Sequence, residues 1–256
     1  MEIINTHLEV LFSPAEFEAL SRRDLGGTVC VVFDILRATS SMVMALANGA
    51  SGILPVADIP AALRIRAQQP MALLAGERDG FRIRADLTGS IDFDLGNSPR
   101  EFKRDKVAGE FIVMTTTNGT RALKACAGAR KILVGSFLNL HRVAAWVAMN
   151  RPPELVLVCS GTHEEAALED TLAAGALCES VWPYYEERWI ADSALIARQV
   201  YLTMQSQLPA AVAMARNGRR LLSIADLRDD VAVCLLRDTI NVLAEMGRDG
   251  VVRAIA

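Results

Sequence analysis

Short apolar runs rich in β-branched residues recur along this chain, each leading into a polar or glycine-containing turn and then a segment with helical spacing. They are Thr28 to Phe33, Gly52 to Val56, Met71 to Ala75, Glu110 to Thr115, Lys131 to Gly135 and Glu154 to Cys159. Apolar and polar positions hardly alternate within them, as expected of strands covered on both faces. The repeating order of strand, turn and helix predicts α/β architecture with a mainly parallel sheet. Thr39 or Ser40 is placed to cap a helix that stops at Asn48-Gly49, and Asp58 with Pro60 opens another. Ser98-Pro99 and Thr120 mark further starts, and Gly128 a stop.

From Trp182 onward the β signal fades and helical spacing takes over through Ser193 to Gln205, Ala210 to Arg216 and Asp226 to Met246. That pattern predicts a helical C-terminal third packed on the sheet. No Ser/Gly-rich linker interrupts the chain, so residues 1–256 read as one domain, sheet-rich over 1–181 and helical over 182–256. A weak echo between Ala47-Asn48-Gly49-Ala50-Ser51-Gly52-Ile53-Leu54 and Cys126-Ala127-Gly128-Ala129-Arg130-Lys131-Ile132-Leu133 raises an internal duplication of a βαβ unit, with chance as its competitor.

Composition narrows the class. Of 256 residues, 52% are hydrophobic and 22% charged, too apolar for a disordered chain. The most apolar stretch, Val29 to Ala50, is broken by Asp34, Arg37 and Thr39-Ser40-Ser41, so no membrane span is expected. Met1-Glu2-Ile3-Ile4-Asn5 lacks the basic and apolar regions of an export signal, which points to the cytoplasm. Cys30, Cys126, Cys159, Cys178 and Cys234 sit singly in apolar segments, the pattern of reduced, buried thiols; Cys159 alone stands where a strand meets a polar loop. A net charge of −3 and the lack of a basic run longer than Arg219-Arg220 exclude a nucleic-acid footprint.

In open α/β sheets ligands bind beyond the carboxyl ends of the strands. Those positions are unusually polar here: Asp34 to Ser41, Gly76-Glu77-Arg78, Thr115 to Thr120, and Ser160-Gly161-Thr162. Hydroxyls, an amide and backbone N–H groups across Thr115 to Thr120 suit a phosphate, and an ordinary capped turn explains them equally. No Walker lysine follows. Asp34 with Arg37 one turn later suits either a metal and anion pair or a structural salt bridge. Glu77 and Glu169-Asp170 favour the first, because the strand pattern brings them toward the same edge. Carboxylate ligands point to magnesium, and the scattered His7, His141 and His163 argue against zinc. His163, directly after Thr162, is retained as a candidate proton donor.

Taken together, the segments Asp34-Ile35-Leu36-Arg37-Ala38-Thr39-Ser40, Ala45 to Ala50, Ala75-Gly76-Glu77-Arg78, Phe93 to Pro99, Thr115 to Thr120, Gly135 to Asn139 and Leu168-Glu169-Asp170 resemble the 2-phosphosulfolactate phosphatase family. The resemblance implies a three-layer α/β/α fold. It also implies a magnesium-dependent hydrolase that converts 2-phospho-3-sulfolactate to 3-sulfolactate and phosphate, a step of coenzyme M synthesis. Leu36 stands where an Asp-nucleophile enzyme of the haloacid dehalogenase type needs a second Asp. The family tends to have Phe-Ser at Ala166-Ala167 and His at Asn217, and its Val-Pro is absent from Ile240 to Met246; these departures bear on the substrate.

The resulting expectation places magnesium on Asp34, Glu77 and Asp170, with Asp34, Arg37 and Asp170 as the catalytic set. Whether Asp34 binds metal or attacks phosphorus stays open. Ser40, Thr116, Thr117, Asn118, Gly119, Thr120, Ser160, Gly161 and Thr162 would surround the phosphoryl group, with Arg37 and Arg219 clamping oxyanions. The partner is a small anionic phosphate ester, and a homodimer is left open. A protein that binds or transfers a phosphorylated metabolite or nucleotide without hydrolysis is the competing reading.

Overall fold

The apolar runs become strands because their branched side chains fill both faces of a pleated surface. In the computed structural model, which describes residues 7–185 and 189–255, they join one eleven-stranded sheet. In chain order the strands are β1 (His7–Leu11), β2 (Thr28–Phe33), β3 (Gly52–Pro55), β4 (Leu73–Arg78), β5 (Phe81–Arg82), β6 (Phe111–Thr115), β7 (Lys131–Gly135), β8 (Glu154–Cys159), β9 (Trp189–Ile190), β10 (Leu243–Met246) and β11 (Val252–Ile255). Their spatial order is β5-β4-β6-β3-β11-β10-β7-β2-β8-β1-β9. The bounds of β2, β7 and β8 are those the apolar runs predict.

Every residue of β2 is buried. Val29, Val31 and Phe33 enter a core on one face of the sheet, and Cys30 and Val32 enter a second core on the other. Helices Leu140–Asn150, Leu168–Val181 and Asp192–Met204 cover the first face, and Ala38–Ala47 and Gly119–Ala125 the second. This is the expected three-layer α/β/α arrangement. Both echoing segments close crossovers, β2 to β3 and β6 to β7, that span the middle of the sheet; the likeness is one of connectivity and does not establish a duplication.

The C-terminal region differs from the helical expectation. Helix Arg228–Cys234 ends early, and two strands, β10 and β11, follow it. They form a hairpin closed by Gly247 N–H on Val251 O and Gly250 N–H on Gly247 O, both 2.9 Å, with Gly250 in the left-handed region at φ 76°. The hairpin fills the centre of the sheet, β10 against β7 and β11 against β3. Apolar residues with helical spacing were drawn into strands by pairing with these open edges, a tertiary effect that local periodicity does not record. Smaller differences concern helix ends. Arg37 rather than Thr39 or Ser40 precedes helix Ala38–Ala47, and helix Gly119–Ala125 stops before Gly128.

Three antiparallel contacts in succession, β7 with β10, β10 with β11 and β11 with β3, join the parallel set β9-β1-β8-β2-β7 to the parallel set β3-β6-β4. Strands in a sheet rotate by roughly 20–25° per step, so the five steps from β2 to β6 exceed a right angle and turn the two sets of carboxyl ends toward each other. Gly119 marks the meeting point: a Cβ there would lie 2.7 Å from Asp34 Oδ2 and 2.7 Å from Ala38 Cβ.

Helices Leu168–Val181 and Asp192–Met204 touch at Gly175, where a Cβ would come within 2.1 Å of Ala197 O. Overpacking of this kind costs about 1–3 kcal/mol. Gly175→Ala is therefore expected to lower the urea midpoint by a corresponding amount, and an unchanged midpoint would show that the helix pair yields freely.

Candidate active site

The loops that follow β2, β4, β6 and β8 converge on one open cleft with about 100 Å³ of enclosed space. Of the residues singled out in the sequence, Asp34, Arg37, Glu77, Thr116, Thr117, Asn118, Gly161 and Thr162 line it. His163 does so as well, together with Asp79, Gly80, Asn97, Asn217 and Arg220. The remaining candidates lie behind the wall or away from it. Ser40 is buried and donates its hydroxyl to Ile35 O at 2.9 Å, and Thr120 Oγ1 donates to Thr116 O at 3.2 Å. Ser160 is buried with its Oγ unpartnered, and Gly119 packs on Asp34. Arg219 turns back onto the carbonyl of Met214, while its neighbour Arg220 faces the cleft.

Asp34 leaves the end of β2 with Oδ1 accepting from Ala38 N–H at 3.0 Å. Its side chain keeps some solvent contact, yet burial pushes its pKa up from 3.8 to about 7; Glu77 and Glu169 add to the rise, and Ala38 N–H and Arg37 oppose it. Glu77 bridges two loops. Its Oε1 accepts from Thr117 N–H and Thr117 Oγ1, both at 2.9 Å, and its Oε2 accepts from Gly80 N–H at 2.8 Å. Asn118 Nδ2 donates to Gly161 O at 2.9 Å, and its buried Oδ1 has no partner.

Asp170 lies under the cleft rather than in it. Its Oδ1 accepts from Ile35 N–H at 2.8 Å and its Oδ2 from Gly161 N–H at 3.1 Å, so it pins the loop after β2 to the loop after β8. Burial, then the charges of Asp34 and Glu169, hold its pKa well above the ordinary carboxylate range. Glu169 beside it is raised by burial too; its Oε1 accepts from Asn217 Nδ2 at 2.6 Å. Cys159 is fully buried, its thiol pushed up by burial, and all five cysteines are free and buried, as the sequence suggests.

Arg37 is 3% exposed. Its Nη1 donates to Asp230 Oδ2 at 2.6 Å and its Nη2 to Gly80 O at 2.5 Å, which leaves further N–H groups of the fork at the cleft. Asp230, completely buried, also accepts at Oδ1 from Ser98 Oγ at 2.6 Å and Arg100 Nε at 2.7 Å. The structural salt bridge weighed for Arg37, with Asp34 or a neighbouring acid, is made with Asp230. Asp230 carries no local motif, and only its place in the helix after Asp226 hints at an N-terminal carboxylate.

No three His, Cys, Asp or Glu side chains converge as a metal-holding group among the described residues. The set Asp34, Glu77 and Asp170 is therefore not assembled: Asp34 and Glu77 line the cleft, whereas Asp170 lies beneath its wall, tying Ile35 N–H to Gly161 N–H. Asp34 and Glu77 do share the cleft with the unpartnered Asn118 Oδ1. Two carboxylates and an amide oxygen are a donor set of the kind magnesium accepts, since it keeps several waters and uses few protein ligands.

The family model described as 2-phosphosulpholactate phosphatase matches residues 15–248. This chain belongs to that family. A protein of Caldicellulosiruptor saccharolyticus named "Probable 2-phosphosulfolactate phosphatase" is 33% identical over 225 residues, covering 86% of this chain and 90% of its own. Proteins of the same name from Caldanaerobacter subterraneus, 33% identical over 239 residues, and Thermotoga petrophila, 35% over 208, cover 93% and 81% of this chain and 95% and 84% of theirs. The family is one of phosphatases, so the cleft belongs to a hydrolase. No helix among the described residues is long and apolar enough to cross a membrane.

A group whose pKa rises on folding stabilises the fold fully below its unfolded pKa, and that contribution is lost as pH rises through the folded value. For Asp34 the window runs from 3.8 to about 7. With chelator present, the melting temperature of Asp34→Asn relative to the parent is expected to rise across that window. A pH-independent difference would show that the Asp34 carboxylate is not destabilised by its surroundings.

Proposed function

We propose that the chain hydrolyses a small anionic phosphate monoester, with 2-phospho-3-sulfolactate as the first choice and 3-sulfolactate and phosphate as products. The observation that carries this reading is the convergence of Asp34, Arg37, Glu77 and the loop Thr116 to Asn118 on one cleft, in a member of a phosphatase family. In the same reading the protein works in the cytoplasm as a single domain, with residues 182–256 completing the site.

The charge balance supports a cation. Asp34, Glu77 and Asp79 face only Arg37 and Arg220 among the formally charged lining residues, so a multiply charged anion needs additional positive charge to bind there. Asp34 and Glu77 would hold magnesium, with the amide oxygen of Asn118 beside them. When bound, the ion would neutralise phosphoryl charge and raise the acidity of a water. The chain itself supplies orientation. Arg37, held by Asp230 and Gly80 O, offers its remaining N–H groups to phosphoryl oxygens. Thr116 and Thr117 bring hydroxyls to the same wall, and Glu77 fixes the loop by accepting both donors of Thr117. Water adds to phosphorus, the ester P–O bond breaks, and the alcohol leaves with a proton.

Phosphate release from 2-phospho-3-sulfolactate and 2-phospholactate is the direct test. Release should require magnesium and stop in excess chelator. Asp34→Asn should lose at least about 100-fold in kcat with unchanged circular dichroism. Full turnover in chelator would end the metal assignment, and retained ester binding with no release would restore the non-hydrolytic reading.

Arg37→Lys keeps the charge and loses the fork. Hydrogen bonds to charged groups contribute about 1.5–3 kcal/mol, so kcat/KM is expected to fall by about one to two orders of magnitude. Because Arg37 also serves buried Asp230, the melting temperature should fall too. Normal efficiency in the folded variant would remove Arg37 from substrate binding.

A further inference from the structure

The two arginines of the cleft are anchored on neighbouring carbonyls of one turn. Arg37 Nη2 donates to Gly80 O at 2.5 Å, and Arg220 Nη2 donates to Asp79 O at 2.7 Å. The turn between β4 and β5 is itself fixed by Gly80 N–H on Glu77 Oε2 at 2.8 Å. It thus presents two guanidinium groups to one cleft, one deep and one shallow: Arg37 is 3% exposed and the side chain of Arg220 is 45% exposed. The deep group stands with Asp34 and the Thr116 to Asn118 loop, where the phosphoryl group belongs. The shallow one has no buried acid. Its only ion-pair contact among the described residues is Asp79 Oδ1 at 3.8 Å, on a side chain 81% exposed, and such a pair contributes little.

We infer that Arg220 is a specificity-determining residue that binds a second oxyanion of the substrate, a carboxylate or sulfonate on the carbon skeleton, while Arg37 serves the phosphate. The inference rests on the reading of the cleft as a phosphate-ester site. It selects among phosphate esters, favouring those that carry another anionic group within reach of the cleft mouth. The position follows from helix geometry: Arg219 and Arg220 differ by about 100° around the helix Arg216–Ser223, and only Arg220 lines the cleft.

The test compares Arg220→Gln with the parent on 2-phospho-3-sulfolactate, 2-phospholactate and isopropyl phosphate, which carries no second anion. The first two should lose about 10- to 100-fold in kcat/KM, chiefly through KM, and isopropyl phosphate should change less than about twofold. The Ki of 3-sulfolactate should rise at least about tenfold while that of inorganic phosphate stays constant, a comparison that holds even if isopropyl phosphate turns over too slowly. An equal loss on all three esters, a parallel rise in both Ki values, or no change in any, overturns the assignment. Should the parent release phosphate from none of the esters, the hydrolytic reading fails. Calorimetry then decides the subsite alone: 3-sulfolactate weakened and phosphate unaffected keeps Arg220, and any other pattern removes it.

Discussion

Four carboxylates, Asp34, Glu77, Glu169 and Asp170, lie near one another where the strand ends meet, and the cost of burying such acids is the constraint on which that region is built. Burial and neighbouring negative charge push the proton affinities of Asp34 and Asp170 upward together. What makes the arrangement tolerable is a set of donors drawn from separate loops. Ala38 N–H serves Asp34, Ile35 and Gly161 N–H serve Asp170, and Thr117 and Gly80 N–H serve Glu77. The acids thereby act as the fasteners of the loops that surround them. A buried carboxylate left without these partners would cost several kcal/mol, so loop position and charge are set by one balance.

The same reasoning extends to the cations. A guanidinium held at only one point would swing with its flexible stem, whereas Arg37 is fixed at both Asp230 and Gly80 O. Asp230 is in turn tied to Ser98 and Arg100, so residues 193 positions apart in the chain share one polar cluster beneath the cleft. Gly119 completes the fit, because any larger residue would push the loop after β6 away from Asp34.

Much of this is legible in the sequence, and the exceptions have physical causes. The runs Thr28 to Phe33, Lys131 to Gly135 and Glu154 to Cys159 are apolar on both faces and therefore announce buried strands. The polar residues that follow such runs led to most of the cleft. β1 escaped notice because its five residues, His7–Leu11, are short and interrupted by Glu9. The hairpin of β10 and β11 was masked by apolar spacing that also suits a helix, although Asp249-Gly250 is a turn signal. Arg219 and Arg220 show the limit of motif reading: one position along a helix separates a residue folded back on its own chain from one that faces the cleft. Asp230 had no local signature at all, since its partners lie more than a hundred residues away.

The central hairpin has a consequence for the order in which the molecule is made. Chains emerge from the ribosome N-terminus first, at about 5–20 residues per second. The edges of β3 and β7 that pair with β11 and β10 therefore wait until residues 243–255 have been synthesised. Until then two half-sheets stand with open inner edges, and open strand edges are templates for pairing with other chains. A nascent protein of this design depends on the β10–β11 hairpin to close its middle, so a chain interrupted before Leu243 would leave most of the sheet present yet divided, a form prone to association.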